Sequence, residues 1–275
     1  MKAHARFSIN QQTVKQLSLP ELVEACGDVG VRNVGLWREP VQAYGLEASA
    51  VLMRDAGLTV TTLCRGGFLT ASEPAARRAA VADNRRAIDE AAALGTRVLV
   101  LVSGGLPDGR GDLGAARERV ADALAELAPY AAESGIRLAI EPLHPMFASD
   151  RCVVSTLTQA LDLAARFPAE QVGVCVDTYH VWWDDQAPAA LARAGATGRI
   201  AAFQLADWIT PLPAGVLNGR GQLGDGAIDL RWWREQADAS GYTAPIEVEL
   251  FNDALWSGDG RKLLATTAER FARYV

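Results

Sequence analysis

Four oxygen-bearing side chains stand at the ends of short apolar runs in the second half of the sequence. They are Glu141, Asp177, Gln204 and Glu249. Three carboxylates that converge in a poorly hydrated pocket would repel one another unless a cation lay among them. Oxygen ligands suit hard divalent ions better than a structural zinc site, which favours Cys and His. If the fold brings these residues together, they predict a site for one divalent metal ion, with Mn²⁺ or Mg²⁺ favoured over Co²⁺ or Zn²⁺.

A regular alternation of predicted strands and helices positions these residues. Short apolar runs predict strands, and helical spacing of apolar residues predicts the helices between them. Pro142 follows Glu141 directly and lacks the backbone donor that would continue strand pairing. The predicted strands are 5–9, 33–37, 58–64, 98–102, 135–141, 172–176, 200–205 and 246–250, and the predicted helices are 19–26, 46–56, 74–94, 115–134, 156–167, 188–194, 230–239 and 261–274.

Eight strand–helix units without a break in composition predict one α/β domain, a (β/α)8 TIM barrel over residues 1–275. An open, doubly wound sheet is the alternative, and it would place a ligand at one switch point instead of within a ring of strand ends. In a barrel, all strands end at one mouth and alternate residues face inward. This alternation turns all four oxygen-bearing residues inward. Each could instead cap a helix or form an ion pair, but agreement over four consecutive strands favours the metal site.

Further residues at strand ends and in predicted mouth loops could contact a substrate. The two histidines among them each lie three residues after a predicted metal ligand, and imidazole titrates near neutral pH. An arginine could bind a hydroxyl or carboxylate, and tryptophans could stack on a ring-shaped ligand. Ordinary packing, surface exposure or local hydrogen bonds are the alternatives for each. These candidate substrate-binding residues are Trp37, Glu39, His144, His180, Trp182 and Arg220.

Glu247 is also predicted to face inward, one layer below Glu249. A buried carboxylate needs a partner if it is ionised. Arg6 lies on the adjacent first predicted strand and has matching parity, so the sequence predicts an ion pair between Arg6 and Glu247.

Five short segments resemble the xylose-isomerase-like superfamily of TIM-barrel sugar isomerases and epimerases. They are 141–144 (EPLH), 176–180 (VDTYH), 203–207 (FQLAD), 224–229 (GDGAID) and 248–251 (VELF). The likeness covers most of the chain, is dense after Gly135, and is greatest to inosose isomerases. It implies that Glu141, Asp177 and Glu249 bind one divalent metal ion. It also implies that the two glutamates, Glu141 and Glu249, act as the catalytic acid–base pair.

Two positions depart from the usual pattern of this superfamily. Gln204 stands where most members have a metal-binding histidine, although members that resemble hydroxypyruvate isomerase also have glutamine there. Phe147 stands where conventional members have a second, sugar-binding glutamate. These departures leave the identity of the metal ion open. They also indicate that the residues around the substrate differ from those of a ketohexose epimerase.

Composition limits the partners. With 27 basic and 33 acidic residues, the net charge of −6 argues against a nucleic-acid partner. No apolar run is long enough for a membrane span, and four cysteines without CxxC spacing are typical of free thiols in a reducing compartment. We therefore expect a cytoplasmic protein with a small carbohydrate or polyol substrate, and the sequence leaves a homo-oligomer open. The glycine-rich stretch 103–114 lacks the ending of a P-loop and is predicted to be a mouth loop.

The paired glutamates and the resemblance predict an isomerase or epimerase of a keto-sugar or keto-polyol, working through a metal-stabilised enediolate. The alternative is a lyase that removes the same proton and then expels a β-substituent, as in a dehydratase or in cleavage of a 3-keto-glycoside. An endonuclease of abasic DNA would need more histidines and a basic face. A non-catalytic sugar-binding barrel would not need paired glutamates beside a metal.

Overall fold

The computed structural model describes residues 3–107 and 111–275. Residues 1–2 and 108–110 of the predicted domain, the latter within the predicted mouth loop, lie outside the described residues. Eight parallel strands close into a barrel in the order β1-β10-β7-β6-β5-β4-β3-β2. They are β1 (Phe7–Asn10), β2 (Asn33–Trp37), β3 (Thr59–Gly67), β4 (Val98–Val102), β5 (Arg137–Glu141), β6 (Val172–Asp177), β7 (Ile200–Leu205) and β10 (Ile246–Val248).

Helices surround this barrel, as the alternating pattern predicts. They are α1 (Leu19–Val29), α2 (Arg38–Tyr44), α3 (Leu46–Asp55), α4 (Pro74–Ala93), α5 (Leu113–Glu133), α6 (Leu157–Ala164), α7 (Thr178–Val181), α8 (Ala187–Ala196), α9 (Leu230–Ala239), α10 (Asp253–Trp256) and α11 (Gly260–Tyr274). A two-stranded antiparallel hairpin, β8 (Asp207–Trp208) with β9 (Arg220–Gly221), follows β7. Within the described ranges, no helix is both long and apolar enough to cross a membrane.

Closure of the barrel excludes the open-sheet alternative. The first strand pairs with the last, with Phe7 opposite Ile246, and also pairs with β2. The prediction of a single-domain (β/α)8 barrel is therefore confirmed. All eight predicted strands occur, with differences at their ends: β3 continues to Gly67, and β10 ends at Val248.

Local sequence signals explain where the first helix begins and ends. In α1, Glu21 accepts a hydrogen bond from the backbone N–H of Ser18, which forms a capping box, and Pro20 occupies the first turn. Gly30 ends the helix with φ +76°, a left-handed conformation that favours glycine. The apolar face of α1, which includes Leu22 and Cys26, packs into the core around the barrel.

The barrel interior is filled differently from the layer between strands and helices. A small cluster of short side chains occupies the interior: Cys64, Val100, Ala139, Cys175 and Ala202. Short side chains suit the crowded centre of an eight-stranded barrel. They leave room for polar groups at the C-terminal mouth, where the candidate residues lie.

Candidate active site

The structure brings the four predicted metal-ligand residues to one end of the barrel. Glu141 ends β5, Asp177 ends β6, Gln204 lies in β7 and Glu249 follows β10 directly. Asp177 and Gln204 are paired neighbours across β6 and β7. All four are buried, and Glu141 and Glu249 line the cavity at this mouth, in agreement with the inward direction predicted from strand alternation.

Carboxylates and one histidine approach one another closely at this mouth. Ligand-capable atoms of Glu141, Asp177 and His180 all lie within 4.8 Å of one another, and so do those of Cys64, Glu247 and Glu249. The carboxylates at the mouth thus form two clusters, one with Glu141 and Asp177 and one with Glu247 and Glu249. A cation bound at the first cluster would have oxygen donors from β5 and β6.

Arg220 joins these groups. Its Nη1 donates to Asp177 Oδ2 at 2.8 Å and to Glu249 Oε2 at 3.0 Å. The guanidinium lies between aromatic rings, with its Cζ 5.0 Å from the ring centre of Tyr179 and 4.8 Å from that of Phe251. The charges of the two carboxylates raise the pKa of Arg220 against the effect of burial. Arg220 is therefore a permanent cation at the centre of the site.

The hairpin that follows β7 carries Arg220 to this position. Arg220 pairs with Trp208 across β8 and β9, and its carbonyl accepts a hydrogen bond from Asn252 Nδ2 at 2.8 Å. The carboxylate of Asp207 accepts hydrogen bonds from the backbone N–H groups of Gly224, Gly226 and Ile228. Asp207 thus ties the segment 203–207 to the glycine-rich segment 224–229, a role that the sequence did not reveal.

His180 is neutral in this environment. Burial lowers its pKa well below the ordinary value, and the charge of Arg220 lowers it further. Its Nδ1 faces the backbone N–H of His144 at 3.2 Å, and its Nε2 faces Arg220 Nη2 at 3.2 Å. Because a neutral imidazole has one ring nitrogen free to accept, only one of these two donors can be satisfied in either tautomer.

The two glutamates at the mouth hold protons more tightly than usual. Burial raises the pKa of Glu141 well above its ordinary value, and the charges of Glu249 and Asp177 add to this. Burial likewise raises the pKa of Glu249 to about 8, although Arg220 opposes the effect. Such carboxyl groups can give or take a proton near neutral pH, which is the property that acid–base catalysis requires.

Unpaired oxygens support a cation at this site. Among the described residues, Glu141 Oε1 and Gln204 Oε1 are buried and have no hydrogen-bond partner. Buried acceptors without a partner are costly, and a divalent ion bound to such an oxygen would remove that cost. The residues therefore fit a divalent metal ion, and Glu141, Asp177, Gln204 and Glu249 are the groups that could hold it.

The amide of Gln204 is oriented from below by Glu247. Gln204 Nε2 donates to Glu247 Oε1 at 2.8 Å, which directs Gln204 Oε1 away from Glu247. Glu247 also accepts from Asn10 Nδ2 at 2.7 Å and from the hydroxyls of Thr61 and Thr62, both at 2.8 Å. Four donors thus surround the Glu247 carboxylate beneath the predicted metal ligands.

The predicted ion pair between Arg6 and Glu247 is wrong. Arg6 precedes β1, and it hydrogen-bonds to Asp238 and to the backbone carbonyls of Tyr242 and Ala244. The Glu247 carboxylate instead accepts hydrogen bonds from uncharged side chains on other strands. Two residues that face the same side of their strands are therefore not necessarily partners.

A cavity of about 560 Å³ opens above the buried acids. Six of the predicted residues line it: Trp37, Glu39, Glu141, His180, Arg220 and Glu249. His144 and Trp182 instead pack on Trp208, with ring centres 5.3 and 5.4 Å from it. Two lining arginines, Arg65 and Arg151, were missed by the sequence reasoning. Arg65 directly follows the predicted third strand, so applying the strand-end argument to the first half of the chain would have found it.

The family comparison agrees with this geometry. The model of the xylose isomerase-like TIM barrel family matches residues 21–273. The chain belongs to this family. A protein from Sinorhizobium meliloti 1021, known from its crystal structure, has the same fold with a TM-score of 0.95. Its sequence is 43% identical, and the match covers 98% of each chain.

One curated relative is an enzyme of named activity. A 3-dehydroshikimate dehydratase from Pseudomonas aeruginosa strain PAO1 is 29% identical over 245 residues, which are 86% of this xylose isomerase-like chain. The match covers 36% of that enzyme, so this chain spans about a third of the length of its relative.

More distant structures share the fold alone. The IOLI protein, crystallised with a zinc atom, is 20% identical with a TM-score of 0.82 over 98% of this chain and 99% of its own. A D-psicose 3-epimerase from Clostridium cellulolyticum H10 is 19% identical with a TM-score of 0.78 over the same shares. Proteins of this fold thus include one crystallised with a zinc atom and a D-psicose 3-epimerase.

Proposed function

We propose that this xylose isomerase-like barrel is a divalent-metal-dependent isomerase or epimerase of a small keto-sugar or keto-polyol. The observation that carries the proposal is the pair of buried glutamates, Glu141 and Glu249, which line one cavity and both have raised pKa values. Since β6 and β7 separate their strands, the two carboxyl groups can approach a substrate from different sides.

The two glutamates would exchange a proton with the substrate. One removes the proton from the carbon next to the carbonyl, and the other returns a proton. Return to the same carbon from the opposite face gives an epimer, and return to the former carbonyl carbon gives the isomer. When bound, a divalent ion supplies Lewis-acid stabilisation of the negative charge that develops on the substrate oxygens.

Neighbouring side chains would orient the substrate and exclude water. The ring of Trp37 meets that of Phe251 edge to face, with centres 5.6 Å apart, and Phe147 lines the same cavity. Aromatic walls of this kind suit the apolar faces of a polyol ring. Neutral His180 and cationic Arg220 would bind substrate hydroxyl or carbonyl oxygens.

Oxygen ligation favours Mn²⁺ or Mg²⁺ over Co²⁺ or Zn²⁺ at Glu141, Asp177, Gln204 and Glu249. Titration of EDTA-stripped protein with each ion, followed by calorimetry, tests this preference. Zn²⁺ binds more tightly than Mn²⁺ at most protein sites, so the two dissociation constants are compared with that general order. A ratio that favours Zn²⁺ even more than the general order does would contradict the preference for Mn²⁺ or Mg²⁺. A cytoplasmic location and the lack of a nucleic-acid partner stay predictions from composition, and a homo-oligomer stays open.

A lyase is the second candidate, because the curated relative is a 3-dehydroshikimate dehydratase. The first step would be the same proton abstraction by Glu141 or Glu249. The electron pair would then expel a hydroxyl from the β-carbon, and that hydroxyl leaves as water after taking up a proton. Arg220 lies 3.0 Å from Glu249 Oε2 and 3.2 Å from His180 Nε2, so its charge would stabilise a leaving hydroxyl that is held next to Glu249.

Deuterium exchange tests both candidates. The metal-loaded protein is incubated in D2O with inososes and ketoses, and NMR follows exchange at the carbon next to the carbonyl. Reprotonation gives a deuterated epimer or isomer, whereas elimination gives an unsaturated product that absorbs in the ultraviolet. No exchange with any keto-polyol would count against both candidates.

Variants separate the acid–base assignment from the fold. Glu249→Gln keeps the shape of the side chain and removes its proton exchange, so we expect turnover to fall by at least 100-fold, on the order expected for loss of a general acid–base group. Glu118→Gln, an exposed control on α5, should turn over normally. Normal turnover of Glu249→Gln would refute the acid–base assignment.

A further inference from the structure

Arg65 lies in the cavity above the candidate site and forms no ion pair within the described residues. It lines the cavity and is partly buried. In the part of the chain that the structure describes, its guanidinium has neither a hydrogen bond nor an ion pair. Because even partial burial of an unpaired charge is unfavourable, an anionic group bound at this guanidinium would be favoured.

Aromatic rings contact the guanidinium of Arg65, but they do not neutralise its positive charge. Its Cζ lies 4.4 Å from the ring centre of Phe68 and 5.8 Å from that of Trp37. Burial lowers the pKa of Arg65, and the positive charge of Arg151 lowers it further, whereas the charge of Glu39 opposes these effects. Glu39 is exposed and does not form an ion pair with Arg65 within the described residues. The cavity therefore keeps a positive charge here.

Arg65, which is partly buried, differs from Arg220, which is a buried cation of the same cavity. Arg220 is already paired with Asp177 and Glu249. The two arginines are linked by an aromatic wall, since Trp37 contacts Phe251 and Phe251 lies under Arg220. A substrate against this wall can place one end among the glutamates and its other end at Arg65.

We propose that Arg65, assisted by Arg151, is a subsite for an oxyanion group carried by the substrate at the end remote from the reacting carbonyl. This inference rests on the proposed function, and it narrows the substrate class from neutral keto-polyols to keto-polyols bearing a carboxylate or a phosphate. The planar fork of donors on arginine matches both groups. The subsite fixes which carbon lies between Glu141 and Glu249.

Three ring polyols test the subsite by calorimetry with metal-loaded protein: quinate carries a carboxylate, myo-inositol 1-phosphate carries a phosphate, and myo-inositol is neutral. We expect at least one anionic probe to bind on the order of tenfold more tightly than myo-inositol, as for a charge-assisted hydrogen bond. The stronger anionic probe distinguishes carboxylate from phosphate. No preference for either anionic probe overturns the proposal.

Variants test whether Arg65 causes the preference for anionic probes. Arg65→Gln should remove the preference, and Arg65→Lys should restore part of it because the charge returns without the fork. Arg78→Gln, on the exposed face of α4, is the matched control and should keep the preference. A preference that survives in Arg65→Gln overturns the proposal. Circular dichroism of each variant verifies the fold.

The outcome is separable from that of the proposed function. Deuterium exchange is therefore followed with keto-polyols that bear an anionic group as well as with neutral ones; exchange reports the proton chemistry of the glutamates, whereas the binding preference reports Arg65. Binding of an anionic probe that depends on Arg65, without exchange on any keto-polyol, would retain the subsite and refute the function. Exchange together with equal binding of all three probes would retain the proposed function and refute the subsite.

Discussion

Replacement of Arg220 by methionine should destabilise the metal-free protein, because two buried acids lose their shared cation. Arg220 Nη1 lies 2.8 Å from Asp177 Oδ2 and 3.0 Å from Glu249 Oε2, and all three side chains are buried. Methionine keeps most of the unbranched apolar stem between Tyr179 and Phe251. The main loss is therefore electrostatic.

The expected loss follows from known costs of breaking buried ion pairs. Removal of one partner from such a pair costs about 3–5 kcal/mol. For 275 residues, the unfolding entropy is about 0.6 kcal/mol per kelvin, so the melting temperature should fall by about 5–9 °C. The fall should be smaller at pH 6 than at pH 8.5. The pKa of Glu249 is already raised to about 8, and at the lower pH this group can take up a proton instead of remaining an unpaired anion.

Thermal unfolding followed by circular dichroism, in EDTA and at both pH values, measures the effect. Addition of Mn²⁺ to Arg220→Met should recover stability, by about 2.7 kcal/mol at a concentration of 100 times the dissociation constant. Arg166→Met is the matched control, since its pair with Glu118 is exposed and contributes little. If Arg220→Met melts at the temperature of Arg166→Met at pH 8.5, the central role of Arg220 is refuted.

Three further predictions concern pH, packing and thiols. Burial raises the pKa of both Glu141 and Glu249, that of Glu249 to about 8, so the contribution of Glu249 to stability is complete below about pH 4.5 and is lost as pH rises through about 8. The melting temperature of the metal-free protein should therefore fall between pH 5 and 9, and a melting temperature that rises over this range would contradict the assignment. A Cβ on Gly35 would overlap the Glu247 carboxyl, so Gly35→Ala should lower the melting temperature by several degrees, whereas Gly27→Ala, in open space on α1, should leave it unchanged or raise it slightly. Cys26, Cys152 and Cys175 are buried, free and absent from the lining of the cavity, so a thiol reagent should label them only after unfolding; rapid labelling of any of these three in the native protein would show that the core opens.

The alternation of apolar runs determined the barrel and the direction of its strand-end residues. Strand periodicity is local, and Pro142 marks the end of β5 within the sequence itself, so the inward direction of Glu141 could be predicted without coordinates. The same alternation placed Asp177, Gln204 and Glu249 at the mouth. The exact strand ends were less well predicted because pairing with neighbours, not composition, decides where a strand stops.

Only the tertiary structure decided which charges meet. Arg220 reaches Asp177 and Glu249 because the hairpin β8–β9 folds back over the mouth, and no local pattern encodes that path. Arg6 pairs with Asp238 instead of Glu247 because strand parity fixes a direction but not the distance between two side chains. Periodicity along the chain therefore determined the fold and the ring of acids, whereas contacts between distant segments determined how those acids are neutralised.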